Sequence, residues 1–167
     1  MHRVVAADGM GLDGSIVAIV RDARGRFVRR YTIRNKTNNN ARAFVAQWLT
    51  ATSNITGSPG AVPGPSQMQL GTGTGSPAAT DAGLFTAAAG TLVSLTNQSV
   101  YQTYYAQWIA YWGSSTPAGN YTEVVLLDAA NNCWAHVLLQ TSSSQPYVPI
   151  SAGQTLTVIW KFNVLGN

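Results

Sequence analysis

Residues 155–165 read TLTVIWKFNVL, and this stretch decides the fold class. Large apolar side chains alternate with smaller or polar ones, which is typical of a β-strand with one face against a core. The alternation predicts a half-buried strand that closes the sheet. Thr157, Ile159, Lys161 and Asn163 are predicted to face outward. The predicted inward residues are Leu156, Val158, Trp160, Phe162 and Val164.

Most of the remaining chain also predicts strands. Residues 15–21 and 26–34 are rich in β-branched and aromatic residues and flank a turn at 22–25, which indicates a hairpin. A second hairpin is predicted with strands 121–129 and 133–141 around the turn 130–132. Further strands are predicted at 67–70, 92–95 and 101–112. Short strands separated by turn residues favour a mainly-β fold, an antiparallel β-sandwich or a jelly-roll-like barrel.

One short helix is predicted at residues 41–51, ARAFVAQWLTA. Its apolar residues recur at helical spacing and follow three asparagines that are suited to cap a helix. Trp48 is expected to reach the core from this helix. At 167 residues the chain predicts a single domain, 1–167. Its parts are a basic N-terminal hairpin region (1–40), the helix (41–51), a Pro/Gly loop (52–66) and a main β region (67–167).

Charge is scarce and unevenly distributed. Only 10% of residues are charged, against about a quarter in a typical soluble domain. Residues 1–42 hold nine of the ten cations and carry a net charge of +6, whereas residues 43–167 carry −2. Because surface charge normally keeps small domains apart, we expect other subunits to cover much of this surface. A surface rich in uncharged Ser, Thr and Asn is the alternative.

Two sets of residues are predicted to bind partners. The cations Arg26, Arg30 and Arg34 share one face of the second strand. Strand 101–112 is aromatic on both faces, so one row of aromatic side chains must lie outside the core. That row includes Tyr101, Tyr105 and Tyr111, and we expect a second copy to cover it in a homo-oligomer, with a trimer as the first guess. The alternative is that helix 41–51 of the same chain covers this aromatic row.

No chemistry is predicted from the polar residues. Glu123 and Asp128 are expected on opposite faces of one strand, roughly 16 Å apart, which is unsuitable for a catalytic carboxylate pair. Cys133 and His136, three apart in a strand, are also expected on opposite faces, so no metal site is predicted. A lone cysteine cannot form an intrachain disulfide. We therefore predict no cofactor and no enzymatic activity.

The sequence predicts neither a phosphate-binding loop nor a membrane-spanning helix. The run Gly71–Gly75 has no following lysine, as a phosphate-binding loop needs, and is predicted to form a tight turn with positive φ angles. No run of about 18 apolar residues occurs, so the sequence predicts no membrane-spanning helix.

Four stretches, in order, are similar to a family of small structural proteins of tailed-bacteriophage virions. The first is RNKTN at 34–38, which closes a hairpin before helix 41–51. The second, MQLGTGTGSPAATD at 68–81, resembles the family's "GTGT…PA…D" segment. The third, TEVVLLD at 122–128, is similar to its "E…LFD"-type strand. The fourth is the ending GQTLTVIWKF at 153–162.

The resemblance implies a non-enzymatic virion component in a tail, fibre-attachment or capsid-decorating position. Its expected partners are further copies of the chain and other virion proteins, its location is the virion, and it transfers no catalytic residues. Two alternatives remain open at this stage. One is a carbohydrate- or receptor-binding β-sandwich that holds a host glycan on Tyr105 and Tyr111. The less favoured one is a single-stranded nucleic-acid binder that uses the basic hairpin.

Overall fold

The computed structural model describes residues 13–36, 64–78, 80–101, 105–140 and 146–163, and every regular element in those ranges is a β-strand. The predicted helix 41–51 with Trp48, and Val164, lie outside the described residues. The strands are β1 (Asp13–Arg21), β2 (Phe27–Lys36), β3 (Gln67–Gly71), β4 (Val93–Tyr101), β5 (Tyr105–Trp112), β6 (Gly119–Tyr121), β7 (Glu123–Leu127), β8 (Cys133–Leu138), β9 (Val148–Ile150) and β10 (Thr155–Asn163).

Eight strands form one antiparallel sheet in the order β2-β1-β10-β5-β4-β3-β7-β8, and β6 pairs with β9 in a small second sheet. The two edge strands of the large sheet, β2 and β8, contact each other. The sheet is therefore curled into a half-barrel around the core. The predicted mainly-β antiparallel fold is confirmed, and none of the described residues forms a helix that could cross a membrane.

The closing strand lies at the centre of this architecture. β10 is hydrogen-bonded to β1 on one side and to β5 on the other. Leu156, Val158, Trp160 and Phe162 are buried, as the alternation predicts. They pack with Ile16 of β1 and with other residues of the concave side. The core therefore occupies the inside of the curl.

Both predicted hairpins are confirmed. β1 and β2 flank a turn in which the Gly25 amide donates to the Asp22 carbonyl, and Gly25 has a φ of 76°. β7 and β8 flank a turn built on Asp128. Its Oδ1 accepts hydrogen bonds from the backbone amides of Ala130 (2.8 Å) and Asn132 (2.9 Å). A side chain that replaces backbone turn bonds is typical of aspartate.

The predicted long strand 101–112 is wrong. Tyr101 ends β4 and Tyr105 begins β5, and the two residues pair across an antiparallel hairpin. The intervening residues, Gln102, Thr103 and Tyr104, include none of the Gly, Pro, Asn or Asp residues that usually mark turns. The residue types therefore did not indicate that one strand ends and another begins between Tyr101 and Tyr105.

Candidate functional site

A fully buried carboxylate organises one end of the sheet. Glu123 begins β7, and its Oε1 accepts hydrogen bonds from the amides of Gly73 (2.8 Å) and Thr86 (2.9 Å). Its Oε2 accepts one from the amide of Phe85 (3.0 Å) and lies 2.7 Å from Nε2 of His136. A buried carboxyl group is tolerated when hydrogen bonds satisfy its oxygens, and these four contacts do so.

His136 extends this network to the loop between β3 and β4. Its Nδ1 lies 2.8 Å from Oδ2 of Asp81, and the ring of Phe85 packs edge-on against the imidazole at 4.8 Å. An ionised carboxylate only accepts hydrogen bonds. The two nitrogens of His136 bridge the carboxyl groups of Asp81 and Glu123, and the donor or acceptor role of each nitrogen depends on the tautomer. Asp81, Glu123 and His136 are called the Glu123 cluster below.

The glycines of the 71–75 run allow the backbone to approach this cluster. A Cβ atom on Gly71 would lie 2.5 Å from Oε1 of Glu123, and one on Gly73 would lie 2.5 Å from Cβ of Phe85. Neither residue has a positive φ. The predicted tight turn with positive φ angles is therefore wrong, because these positions require glycine for space and not for backbone conformation.

The prediction that Cys133 and His136 face opposite ways is also wrong. The register of β7 and β8 shifts between Leu126 and Leu127, so that Leu127 pairs with Cys133 and Val125 pairs with His136. A bulge of this kind adds one residue to one strand and breaks the alternation of faces. Cys133 packs with Val125, Leu127 and Leu84 in a small second core, on the side of the sheet that the β3–β4 loop covers.

The groups of the Glu123 cluster contact one another and the backbone of the β3–β4 loop. Both nitrogens of His136 face carboxylates, and each oxygen of Glu123 already accepts hydrogen bonds from the protein. Among the described residues, no group of three or more His, Cys, Asp or Glu side chains could hold a metal ion. Asp128, the other carboxylate of this region, accepts hydrogen bonds from Ala130 and Asn132 of the β7–β8 turn. The arrangement fixes the β3–β4 loop on β7 and β8.

Sequence reasoning missed this cluster, although one signal was present. Glu123 is the only charged residue in the apolar run of β7, within a part of the chain that has very few charges. A carboxylate in a strand whose five residues are all buried requires a partner. The partners come from positions 37 to 50 residues away and from His136, and spacing alone does not reveal such distant contacts.

A second feature lies on the convex side of β2, β1, β10 and β5, and is called the outer face. Side chains directly opposite each other on neighbouring strands share a face, and the strand registers place three rows there. Aliphatic residues are half-buried at the centre of the face. The rows are Thr32, Val17, Ile159 and Ile109; Arg30, Ile19, Thr157 and Tyr111; and Arg34, Ser15, Lys161 and Gln107.

The predicted arginine row holds for two of its three members. Arg30 and Arg34 are exposed on the outer face. Arg26 precedes β2, and its Nε contacts Oδ2 of Asp22 at 2.7 Å. Hydrogen bonds from the backbone amide and then the side chain of Arg26 lower the pKa of Asp22 below its ordinary 3.8. The prediction is wrong for Arg26 because the strand begins after it, next to a bulge opposite Val20 and Arg21.

The strand registers place all three predicted tyrosines at outer-face positions, because Tyr105 has the same parity as Tyr111 on β5 and pairs with Tyr101 of β4. Tyr111 lies on the outer face and is 47% exposed. Tyr101 and Tyr105 face each other at the end of the β4–β5 hairpin, and their side chains lie outside the described residues. Among the described side chains, the outer face is aliphatic at its centre and carries the exposed Tyr111 together with Arg30, Arg34 and Lys161. Asp13 of β1 occupies the next position on the same side of the sheet as these rows, where it pairs with Lys36 and Asn163.

The chain matches no protein-family model, no curated protein and no solved structure. The similarity to tailed-phage virion proteins thus rests on the four stretches quoted above. Two of those stretches, 68–81 and 122–128, meet in the fold. Gly71, Gly73 and Asp81 of the first surround Glu123 of the second, partly through His136.

Proposed function

We propose that this protein is a non-enzymatic structural component of a tailed-bacteriophage virion. It assembles through protein–protein contacts in a tail, fibre-attachment or capsid-decorating position. The observation that carries the proposal is the outer face, where aliphatic side chains of three adjacent strands lie beside an exposed tyrosine. Apolar side chains grouped on one accessible face of a sheet are typical of protein–protein contact surfaces.

The polar groups of the Glu123 cluster already have hydrogen-bond partners within the protein, which supports a non-enzymatic role. Catalytic acids and bases must reach a substrate within hydrogen-bond distance. The side chain of His136 is only 1% exposed, and the carboxylate of Glu123 is fully buried. Their contacts hold a loop in place, which suits a rigid module that acts by shape.

The charge distribution supports an assembled state. Residues 43–167 contain four formally charged side chains. Glu123 and Asp128 are buried, and Asp81 contacts His136. The main β region therefore offers water almost no carboxylate, and depletion of charge is characteristic of the centres of protein interfaces. A homo-oligomer, with a trimer as the simplest form, is part of this proposal.

Tyr111 supports a second candidate function. Its exposed ring at the edge of the outer face could stack on a sugar, so a module that binds a host glycan is the alternative. Loss of glycan binding in Tyr111→Ser, with no effect on particle assembly, would favour that alternative.

The proposal is tested on purified particles of the phage that encodes the chain. Quantitative mass spectrometry should find the chain in gradient-purified virions at a fixed copy number per particle. Gold-labelled antibodies should place it at one structural position. Recovery of the chain only from the soluble fraction of infected cells would contradict the proposal.

A further inference from the structure

We propose that the contact between Asp81 and His136 is a pH-dependent latch, which holds segment 80–84 of the β3–β4 loop on the sheet and opens as the pH rises. The proposal goes beyond the proposed function and does not depend on it. It follows from the number of protons that the Glu123 cluster needs and from the different burial of its two carboxyl groups.

The two contacts of His136 together need two protons. Nδ1 lies 2.8 Å from Oδ2 of Asp81, and Nε2 lies 2.7 Å from Oε2 of Glu123. Each contact is a hydrogen bond only when one proton lies between its two atoms. Both protons can reside on the imidazole, or one can reside on a carboxyl group and leave the imidazole neutral. In either arrangement the cluster carries one net negative charge.

Loss of one of these protons leaves one of the contacts between two acceptors. The lone pair of an imidazole nitrogen then faces a carboxylate oxygen at less than 3 Å, with no proton between them. The side chain of His136 is only 1% exposed, so water does not screen this repulsion. The closed arrangement is therefore stable only while the cluster keeps both protons.

The different burial of the two carboxyl groups decides which contact opens. The side chain of Glu123 is fully buried, and three backbone amides of the β3–β4 loop donate hydrogen bonds to it. The side chain of Asp81 is 13% exposed. A carboxylate that leaves its partner must be solvated by water, and Asp81 reaches water with the smaller movement. The remaining proton therefore stays between His136 and Glu123, and Asp81 separates.

The other charged and titratable groups near the cluster do not supply the lost proton. On β8 the thiol of Cys133 packs in the small second core, and Asp128 accepts hydrogen bonds within the β7–β8 turn. β3, β4 and the loop between them carry no charged side chain besides the aspartate of the latch. The exposed arginines of β2, the strand that contacts β8, are Arg29, Arg30 and Arg34, and among the described residues none of them forms an ion pair with the cluster.

The thiol of Cys133 reports opening of the latch. Cys133 is the single cysteine of the chain, it is buried, and Leu84 of the loop packs against the apolar cluster that contains it. Leu84 lies three residues after Asp81, so displacement of segment 80–84 uncovers the thiol. Thiols react as thiolates, and the thiolate fraction itself rises with pH. The labelling rate of the folded chain is therefore divided by that of the urea-unfolded chain at the same pH.

The test measures this rate ratio with 4,4′-dithiodipyridine between about pH 5 and pH 9, which includes the ordinary titration range of imidazole. The proteins are the wild type, Asp81→Asn and Asp22→Asn. An asparagine side chain can donate to Nδ1 or accept from it, so it keeps the contact with a neutral or a cationic imidazole. Asp22→Asn changes net charge equally in the exposed β1–β2 turn and is the matched control. Circular dichroism at each pH establishes that the variants are folded.

The closed state holds one more proton than the open state, so the latch is stable at low pH and is lost as the pH rises. In the wild type and in Asp22→Asn, the rate ratio should increase by up to about tenfold per pH unit. In Asp81→Asn it should change by less than about twofold over the whole range. Hydrogen–deuterium exchange, corrected for the intrinsic pH dependence, should show the same contrast for segment 80–84 while β1 and β10 stay protected.

Three results would overturn the proposal. A wild-type rate ratio that is independent of pH would show that opening releases no proton. An equal increase in the wild type and in Asp81→Asn would assign the opening to another titrating group. Loss of protection in β1 and β10 together with segment 80–84 would show that the whole fold opens. The exchange measurement needs no variant, so it decides the proposal even if Asp81→Asn does not fold.

Discussion

At the scale of single residues, Glu123 has the largest number of dependent contacts. Its carboxyl oxygens accept hydrogen bonds from three backbone amides and contact Nε2 of His136, and the site is fully buried. In Glu123→Gln an NH₂ group replaces one carboxyl oxygen and faces a group that donates a hydrogen bond to that oxygen. Leaving a buried polar group unsatisfied costs about 1–3 kcal/mol, so urea unfolding should show a loss of that size. Asp22→Asn, in the exposed turn, is the control, and equal losses in both variants would contradict the structural role of Glu123.

The two large buried tryptophans provide a matched comparison. Nε1 of Trp112 donates to the carbonyl of Thr91, whereas Nε1 of Trp160 has no partner in the described part of the chain. Trp160→Ala should cost about 3–5 kcal/mol because it empties the core. Trp112→Phe and Trp160→Phe both keep a large aromatic ring in the core. Trp112→Phe should cost about 1 kcal/mol more than Trp160→Phe, because it also leaves the buried carbonyl of Thr91 unpaired. Chemical denaturation measures all three, and a loss below about 1 kcal/mol for Trp160→Ala would show that Trp160 contributes little to the core.

Asp128 should make stability depend on pH. Burial raises the pKa of this carboxyl, but hydrogen bonds from the side chain and amide of Asn132 and from the amide of Ala130 outweigh burial and hold it below 3.8. The folded state therefore binds the proton less tightly than the unfolded state. The resulting stabilisation is complete above the unfolded pKa and disappears as pH falls through the folded pKa. The difference in unfolding free energy between wild type and Asp128→Asn should shrink as the pH falls from about 5 to below 3; a difference independent of pH would contradict this.

At the scale of elements, alternation predicted the strands well and the faces less well. It correctly placed the core side of β10 and both long hairpins. It failed where β-bulges shift the register, near Arg26 in β2 and near Cys133 in β8. A period of two assumes an uninterrupted ladder, and one extra residue exchanges the faces beyond it. The partners of Glu123 were missed because they depend on long-range contacts.

Glycine substitutions in the loop between β3 and β4 test whether the loop backbone packs closely against Phe85 and Glu123. In Gly73→Ala the new Cβ would lie 2.5 Å from Cβ of Phe85 and 2.6 Å from Oε1 of Glu123. We expect a loss of about 1–3 kcal/mol from this overpacking. Gly83→Ala, in the same loop, meets nothing within 4 Å and should change stability by less than about 1 kcal/mol. Thermal unfolding and limited proteolysis of the loop measure the contrast, and similar behaviour of the two variants would argue against the tight packing.

At the scale of the whole molecule, the half-barrel separates two roles along one sheet. The Glu123 cluster fixes the end formed by β7 and β8, and the outer face belongs to the end formed by β2, β1, β10 and β5. The sequence indicated the fold class and that Arg30 and Arg34 lie on the same exposed face of β2. It could not indicate that these arginines flank an aliphatic centre, because that centre is assembled from strands that lie far apart in the chain.

The central claim is that the outer face attaches this protein within the virion, and incorporation into particles tests it most directly. Phage lacking the gene is complemented with wild type, Arg30→Glu/Arg34→Glu or Arg24→Glu/Arg26→Glu, and the chain is quantified in gradient-purified particles. We predict wild-type copy numbers for the turn variant and a reduction of about tenfold or more for the outer-face variant. Equal copy numbers for all three proteins would contradict the claim.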